Sequence, residues 1–315
     1  MPCTDPLTAY KSMELNESGK RSMVFNSALS FDGLPYYLPC GQCTSCRRKR
    51  SAQWAARCSH EASLYDHNCF ITLTYDDDHI PSNGSLVKSD FQKFMKRLRK
   101  KFDGLDPVMD DDGSWTYPIR FYQCGEYGPA TFRPHYHACL FNFDFFDKVY
   151  WKTVKKNHLY VSESLQKLWP FGYSTVGALT FESAAYVARY CLKKINGEKA
   201  EEHYRRFDPL TGEVYYLQPE YSTQSRNPGI ARRWFDIYAD DIYPSDFLVL
   251  DGRKMNPPPY YDSLYEVIDP DDFKRIKTLR SHGSRKWLDH EQRKRLNVKA
   301  TCLEAKLNNN PRYVE

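Results

Sequence analysis

The sequence predicts an α+β fold, a central and mainly antiparallel sheet flanked by helices. Three observations carry that prediction. From residue 69 to residue 197 the periodicity runs strand, helix, strand, strand, helix, strand, helix. Two of the strand-like runs follow one another across the turn GPATFRP, so they read as an antiparallel pair. The long helical runs repeat their apolar residues at helical spacing, which leaves a stripe to bury against a neighbour.

The first forty residues are irregular, with turn-prone pieces such as DGLPYYLP, and CGQCTSC follows. From Arg47 to about Tyr65 the chain reads as a helix, because Trp54, Ala55, Cys58, Ala62 and Tyr65 recur at helical spacing. CFITLTY, Cys69 to Tyr75, is β-branched and aromatic and reads as a strand. DDDHIPSNG is a loop. Ser89 is the expected cap of the next helix, whose stripe is Phe91, Phe94, Met95, Leu98 and Phe102 and whose other side is basic. Gly104 closes that helix, and DPVMDDDGSW is an acidic loop. YPIRFYQCGEYG and HYHACLFNFDF form the strand pair. SESLQKLWP is a short helix, GYSTVGAL a strand and turn, and FESAAYVARYCLKKI a helix that Asn196-Gly197 ends.

After Gly197 prolines and charges rise and periodicity fades. NPGIARRWFDIYADD reads as a turn and a short amphipathic helix, MNPPPYYDSLYEVIDPDD as turn-rich, and the last stretch as basic and partly helical. The expected division is 1–66, an N-terminal segment with a cysteine cluster and a helix, 67–197, a core, and 198–315, a basic, Pro- and Tyr-rich accessory region with a partly helical end. No internal repeat is visible.

The 315 residues carry a net charge of +5, with a pI near 8.5. The basic residues cluster at CRRKR, KRLRKK and RKWLDHEQRKR, and there are 24 tyrosines. Clustered cations form a solvated face or a nucleic-acid footprint, and phenols among them suit stacking on bases. The N-terminus lacks an apolar signal core and no run is long enough to span a bilayer, so a soluble intracellular protein without membrane contact is expected. In that setting ten cysteines are reduced or metal-bound rather than paired.

RPHYHACLF carries the chemistry. Side chains alternate along a strand, so His135 and His137 point one way and Tyr136 the other. Two imidazoles so held make a bidentate metal clamp, whereas an isolated pair of this kind is more often one core and one surface histidine. Glu126 lies on the strand expected to pair with this one. There it is either a third ligand or a surface carboxylate at a turn. Two nitrogens and one oxygen suit Mg²⁺ or Mn²⁺ holding a phosphate.

In AAYVARYCLKKI, Tyr186 and Tyr190 lie one helical turn apart, and Lys193 and Lys194 follow. The plain reading is packing. The chemical one makes the phenols nucleophiles toward phosphorus, since ammonium groups and a metal would favour a phenolate whose free pKa is roughly 10. Two tyrosines could also act in turn, one holding a cleaved 5′ end while the other attacks.

The order CFITLTYDD, H-hydrophobic-H, Y-x-x-x-Y-x-x-K-K resembles the three motifs of HUH-superfamily rolling-circle replication initiators. LPCGQCTSCRRKRSAQWAARCSHEA, FITLTYDDDHIP, CGEYGPATFRPHYHACLF and RNPGIARRWF extend the likeness to the initiators of gokushovirus-type microviruses. The resemblance implies an HUH-type nuclease sandwich at 67–197. It makes His135 and His137 metal ligands, with Glu126 at a position whose residue type varies. It makes Tyr186 and Tyr190 nucleophiles and Lys194 the motif lysine beside Lys193. The stretch Thr72 to Asp76 is implied to be structural or DNA-positioning. The implied activity is site-specific nicking and rejoining of single-stranded viral DNA at a replication origin, in the cytoplasm of a bacterial host. No P-loop is visible, so a host helicase would unwind, and a host polymerase would extend the 3′ end. The rivals are a relaxase or transposase, a water-using metal nuclease, and a noncatalytic zinc-dependent DNA-binding protein.

Cys40, Cys43 and Cys46 are spaced C-x-x-C-x-x-C, with Cys58 or His60 as a fourth ligand. Tetrahedral zinc suits the set. An iron–sulfur site or three reduced thiols are the other readings. Cys3 and the remaining cysteines read as ordinary thiols.

Overall fold

The computed structural model describes residues 3–17, 19–102, 108–109, 115–116, 118–128, 131–154, 156–190, 198–208, 211–243, 245–250, 252–285 and 292–309. The chain divides into two compact units, one of Met1–Arg50 with Leu279–Tyr313, the other of Ser51–Thr278 with Val314–Glu315.

In the first unit, β1 (Leu7–Leu15) pairs antiparallel with both β2 (Arg21–Val24) and β3 (Tyr36–Leu38). This small sheet was not legible in the sequence, because its apolar residues have no buried face. Met13, Leu15, Phe25, Phe31 and Tyr37 are all exposed, while Ala9 is the buried hydrophobic among described residues 3–50. Helix α1 (Thr44–Ala62) begins in this unit and continues into the second.

The second unit is built on β4 (Asn68–Tyr75), followed by α2 (Lys88–Lys101) and the short pairing of β5 (Val108–Met109) with β6 (Trp115–Thr116). Then come β7 (Arg120–Tyr127), β8 (Pro134–Phe141), β9 (Lys148–Val154), β10 (Asn157–Ser162), α3 (Glu163–Leu168), β11 (Gly172–Ala178) and α4 (Phe181–Tyr190). After α5 (Glu198–Tyr204) and the ribbon of β12 (Arg205–Phe207) with β13 (Val214–Tyr216), β14 (Tyr221–Gln224) returns to the sheet. The strand order is β14-β7-β8-β4-β11-β10-β9, and every neighbouring pair is antiparallel. α6 (Arg232–Ile242), the ribbon of β15 (Leu248–Leu250) with β16 (Arg253–Met255), α7 (Pro259–Ile268), α8 (Pro270–Arg285) and α9 (Gln292–Asn309) complete the described chain. The α+β class, the antiparallel sheet and its flanking helices match the expectation.

Period two sorts the sheet into two faces. Ile71, Leu73, Tyr75, Tyr136, Ala138 and Leu140 face one core, with Phe91, Phe94, Met95 and Leu98 of α2 and Trp169 after α3. Phe70, Tyr122, Cys124, Cys139 and Phe141 face the other, with α1, α4, α6, α7 and α8.

Some local readings change. The cap of α2 is Val87, with no side-chain bond, so Ser89 sits inside the first turn. The sheet has two further edges. β9–β10 was missed because Lys148–Thr153 is exposed on both sides, and β14 because YSTQ is half-buried throughout. The turn-rich MNPPPYYDSLYEVIDPDD contains α7, since proline at the first helical position does not break a helix but starts one.

Candidate metal centre and nucleophile helix

The register of β7 and β8 builds the centre. Glu126 lies opposite His135, His135 opposite Thr74 of β4, and Thr74 opposite Tyr173 of β11. One step along, Cys124, His137, Thr72 and Thr175 form the parallel row. Tyr136 points into the opposite core, where its hydroxyl lies 2.9 Å from that of Tyr75. Glu126, His135 and His137 are all buried.

Glu126 Oε1 lies 3.0 Å from His135 Nε2 and 2.9 Å from His137 Nε2. The three ligand atoms fall within 4.8 Å of one another. His135 Nδ1 is 3.0 Å from the Arg133 carbonyl, which can only accept, so Nδ1 carries a hydrogen and the ring is held with Nε2 facing Glu126. His137 Nδ1 is held by Thr72 Oγ1 at 2.9 Å. Burial would raise the Glu126 carboxyl, but its contacts with the two histidines outweigh this and hold it below the ordinary value. Two nitrogens and a carboxylate oxygen, turned together in a buried place with Nδ1 of both imidazoles engaged, form a donor set that fits a divalent cation.

Arg133 ties the end of β8 to the loop after β4, donating from Nη1 to the Tyr75 carbonyl at 2.9 Å and pairing with Asp77. Helix α4 starts with a reciprocal cap. The Ser183 N–H donates to Thr180 Oγ1 at 3.2 Å, and the Thr180 N–H donates to Ser183 Oγ at 2.8 Å. The helix lies over β7 and β8. Tyr186 is buried there, its ring edge-on to His137 with centroids 5.0 Å apart and to Phe70 at 6.3 Å. The metal donors and the first phenol are thus brought together. Tyr190 closes α4, and Lys193 and Lys194 lie outside the described residues.

A buried ion pair supports the same face. Arg120 of β7 donates from Nε to Glu61 Oε1 of α1 at 2.5 Å and from Nη2 to the Pro228 carbonyl at 2.6 Å. Glu61 Oε2 accepts from the Ala231 N–H at 2.5 Å. RNPGIARRWF is therefore held by charge against α1 and β7. A Cβ at Gly229 would meet the Tyr260 hydroxyl at 2.5 Å, so a side chain there would have to displace that phenol.

The cysteine reading requires correction. Cys40, Cys43 and Cys46 do cluster, but the thiol that joins them is Cys3. Cys58 is fully buried in the α1 core, among apolar residues. His60 is stacked on Trp234 at 3.5 Å and bonded to the Tyr261 hydroxyl at 2.8 Å, and burial lowers its pKa to about 4. The reason is geometric: both residues lie deeper in α1, where helix periodicity commits them to the core. At the cluster, burial raises the Cys43 thiol, but bonds from Thr4 and the Cys46 backbone outweigh it and bring the value to about 6. Cys46 is pushed up to about 12, chiefly by burial. Sequence reasoning also missed the Thr72 bond to His137 and the Glu61–Arg120 pair. Nothing local signals either, since each joins residues far apart in the chain.

A family model described as replication-associated protein ORF2/G2P matches residues 68–195. The replication-associated protein VP4 of Bdellovibrio phage phiMH2K is 30% identical over 303 residues, 95% of this chain and 84% of that protein. The replication-associated protein ORF2 of Spiroplasma virus 4 is 31% identical over 248 residues, 75% of this chain and 70% of that protein. The replication-associated protein ORF4 of Chlamydia phage 1 is 28% identical over 252 residues, 75% of this chain and 55% of that protein. No solved structure matches the chain.

Proposed function

This chain belongs to the family of replication-associated proteins of gokushovirus-type phages, and on that premise we propose that it is a metal-dependent single-stranded DNA endonuclease and strand transferase of the HUH type. It nicks a viral replication origin, stays on the 5′ end as a phosphotyrosine and later rejoins the strand into a circle. The observation that carries this reading is the convergence of His135, His137 and Glu126 beneath the helix that bears Tyr186. The residues fit Mg²⁺ or Mn²⁺, which when bound would polarise the scissile phosphodiester and stabilise the charge developing on its oxygens.

The chain's own groups do the rest. In nicking, the phenol oxygen of Tyr186 or Tyr190 attacks phosphorus, the bond to O3′ breaks, and the phenol proton ends on the released 3′ hydroxyl. In joining, a 3′ hydroxyl attacks the phosphotyrosine, the strand is resealed and the phenol is regenerated, so no nucleotide cofactor is consumed. Lys193 and Lys194 are assigned to the phosphate. Thr72 and the Arg133 carbonyl keep the imidazoles oriented. The released 3′ hydroxyl primes a host polymerase and a host helicase unwinds the duplex, in the cytoplasm of the bacterial host. Among the described residues no helix is long and apolar enough to cross a membrane.

A path for the DNA follows from the same rows of the sheet. Tyr173 stands two strands from His135 on the same face, roughly 10 Å away at ordinary strand spacing, and is 70% exposed. An exposed phenol at that distance suits stacking of a base near the scissile phosphate.

The test is a covalent-adduct assay on labelled single-stranded DNA tiling an origin-bearing genome, with Mn²⁺ or Mg²⁺, resolved on denaturing gels. A metal-dependent adduct lost in the double variant Tyr186→Phe/Tyr190→Phe and in His137→Ala is expected. Cleavage without an adduct would make water the nucleophile. Binding with neither would leave a noncatalytic DNA-binding protein and overturn the proposal.

A further inference from the structure

We infer that the first unit holds a zinc ion on four thiolates, those of Cys3, Cys40, Cys43 and Cys46, and that this ion fastens the N-terminal sheet to the start of α1. The site is separate from the nuclease centre, and the inference does not depend on the proposed activity.

The small sheet brings the thiols together. Leu7 of β1 pairs with Leu38 of β3. Carrying that antiparallel register outward sets Cys3 opposite position 42, between Cys40 and Cys43. Gly41, at φ +75°, turns the chain there, and the turn returns Cys43 and Cys46 to the start of α1. A residue 37 positions away in the chain from Cys40 thus completes a C-x-x-C-x-x-C run.

The distances have the right scale. Cys3 Sγ lies 3.6 Å from Cys40 Sγ and 3.7 Å from Cys43 Sγ, and all four sulfurs fall within 4.8 Å of one another. Zinc binds thiolate at about 2.3 Å, which makes the sulfur–sulfur edge of its tetrahedron roughly 3.8 Å. A disulfide would need about 2.05 Å, and all four cysteines are free. Three backbone amides already point at the sulfurs: Cys40 N–H to Cys3 at 3.3 Å, Cys43 N–H to Cys40 at 3.2 Å and Cys46 N–H to Cys43 at 3.4 Å. Such donors favour the thiolate over the thiol, and thiolates select a borderline-soft ion over Mg²⁺.

Among its described residues the unit has little other support. With Ala9 as the buried hydrophobic among described residues 3–50 and Leu303 as that of α9, little apolar area leaves water. Small units with cores this thin are commonly stapled by a structural metal, whose binding energy becomes folding energy.

The experiment uses the full chain, purified without added metal, and measures zinc and iron by mass spectrometry of elements alongside thiol-released zinc by a colorimetric chelator. About one zinc per chain is expected in the wild type and in Cys58→Ser. Cys3→Ser should lose it. Cys3→His, which keeps a ligating atom, should retain it and shows that any loss is not a general failure to fold. Replacing zinc with Co²⁺ should give the visible bands of a tetrahedral thiolate site. Zinc kept in Cys3→Ser but lost in Cys58→Ser would overturn the ligand set. Iron in place of zinc, or a chain free of both, would overturn the assignment of the ion.

Discussion

The two faces of the seven-stranded sheet use burial in opposite ways. Against α2 and α3 the interior is nearly all apolar, with Ile71, Leu73, Leu140, Phe94 and Trp169 interlocked and the Tyr75 and Tyr136 hydroxyls bonded to each other. Against α1 and α4 the buried side chains include His60, Glu61, Arg120, Glu126, His135 and His137. The first face supplies stability by removing carbon from water. The second holds ionisable groups in low dielectric, where each needs its partner and where a cation and a phosphate would be bound most strongly. The strands between them serve both, because alternation sends neighbouring residues to opposite sides.

Orphaning a charge on the polar face should have the largest effect. Glu61→Ala leaves Arg120 buried without its carboxylate and should cost about 3–5 kcal/mol in urea unfolding. Leu73→Ala on the dry face should cost about 2–5 kcal/mol by cavity formation. The double change Glu61→Leu/Arg120→Met should recover most of the first loss and none of the second. If it recovers nothing, the pair's other bonds, to Pro228 and Ala231, carry the effect instead.

The two faces should also differ in their response to acid. His60 is buried neutral, its pKa lowered from 6.5 to about 4 by burial. The unfolded chain therefore takes up a proton before the folded one does. Its contribution is fully present above the unfolded value and is lost as pH falls from about 6.5 toward about 4, by up to about 3 kcal/mol. Denaturant midpoints followed across that window should fall in the wild type and flatten in His60→Gln. An equal fall in both would assign the acid sensitivity elsewhere.

The smallest effect is expected on the open part of the polar face. Tyr173→Ala should weaken single-stranded DNA binding by about 1–2 kcal/mol, a roughly 5- to 30-fold rise in Kd, with thermal stability unchanged. Tyr173→Phe, which keeps the ring, should bind as the wild type does. A loss in both variants would point to hydrogen bonding by the phenol rather than stacking.

Much of the second unit was legible in the chain alone. CFITLTY, HYHACLF and the stripe of α2 each bury one face or two, so their periods show. That same alternation set His135 and His137 side by side, and the run of the chain made the hairpin that brings Glu126 to them. The β1–β3 sheet and the β9–β10 ribbon hide because solvent meets most of their side chains, which leaves composition without a pattern. The cysteine spacing announced a cluster, but its fourth member came from the far side of a sheet pairing.

Neighbours within a few residues were enough to give the α+β class, the strand pair, the two histidines on one strand face and the order of motifs, whereas the burial of Glu126 beside those histidines was not among them. Long-range packing settled that α4 lies over β7 and β8 with Tyr186 against His137, that Thr72 steadies that histidine, that Cys3 rather than Cys58 joins the clustered thiols, and that Tyr173 stands exposed along the same row. These are contacts across long stretches of chain. Strand register and helix packing choose them together, and no local propensity encodes that choice.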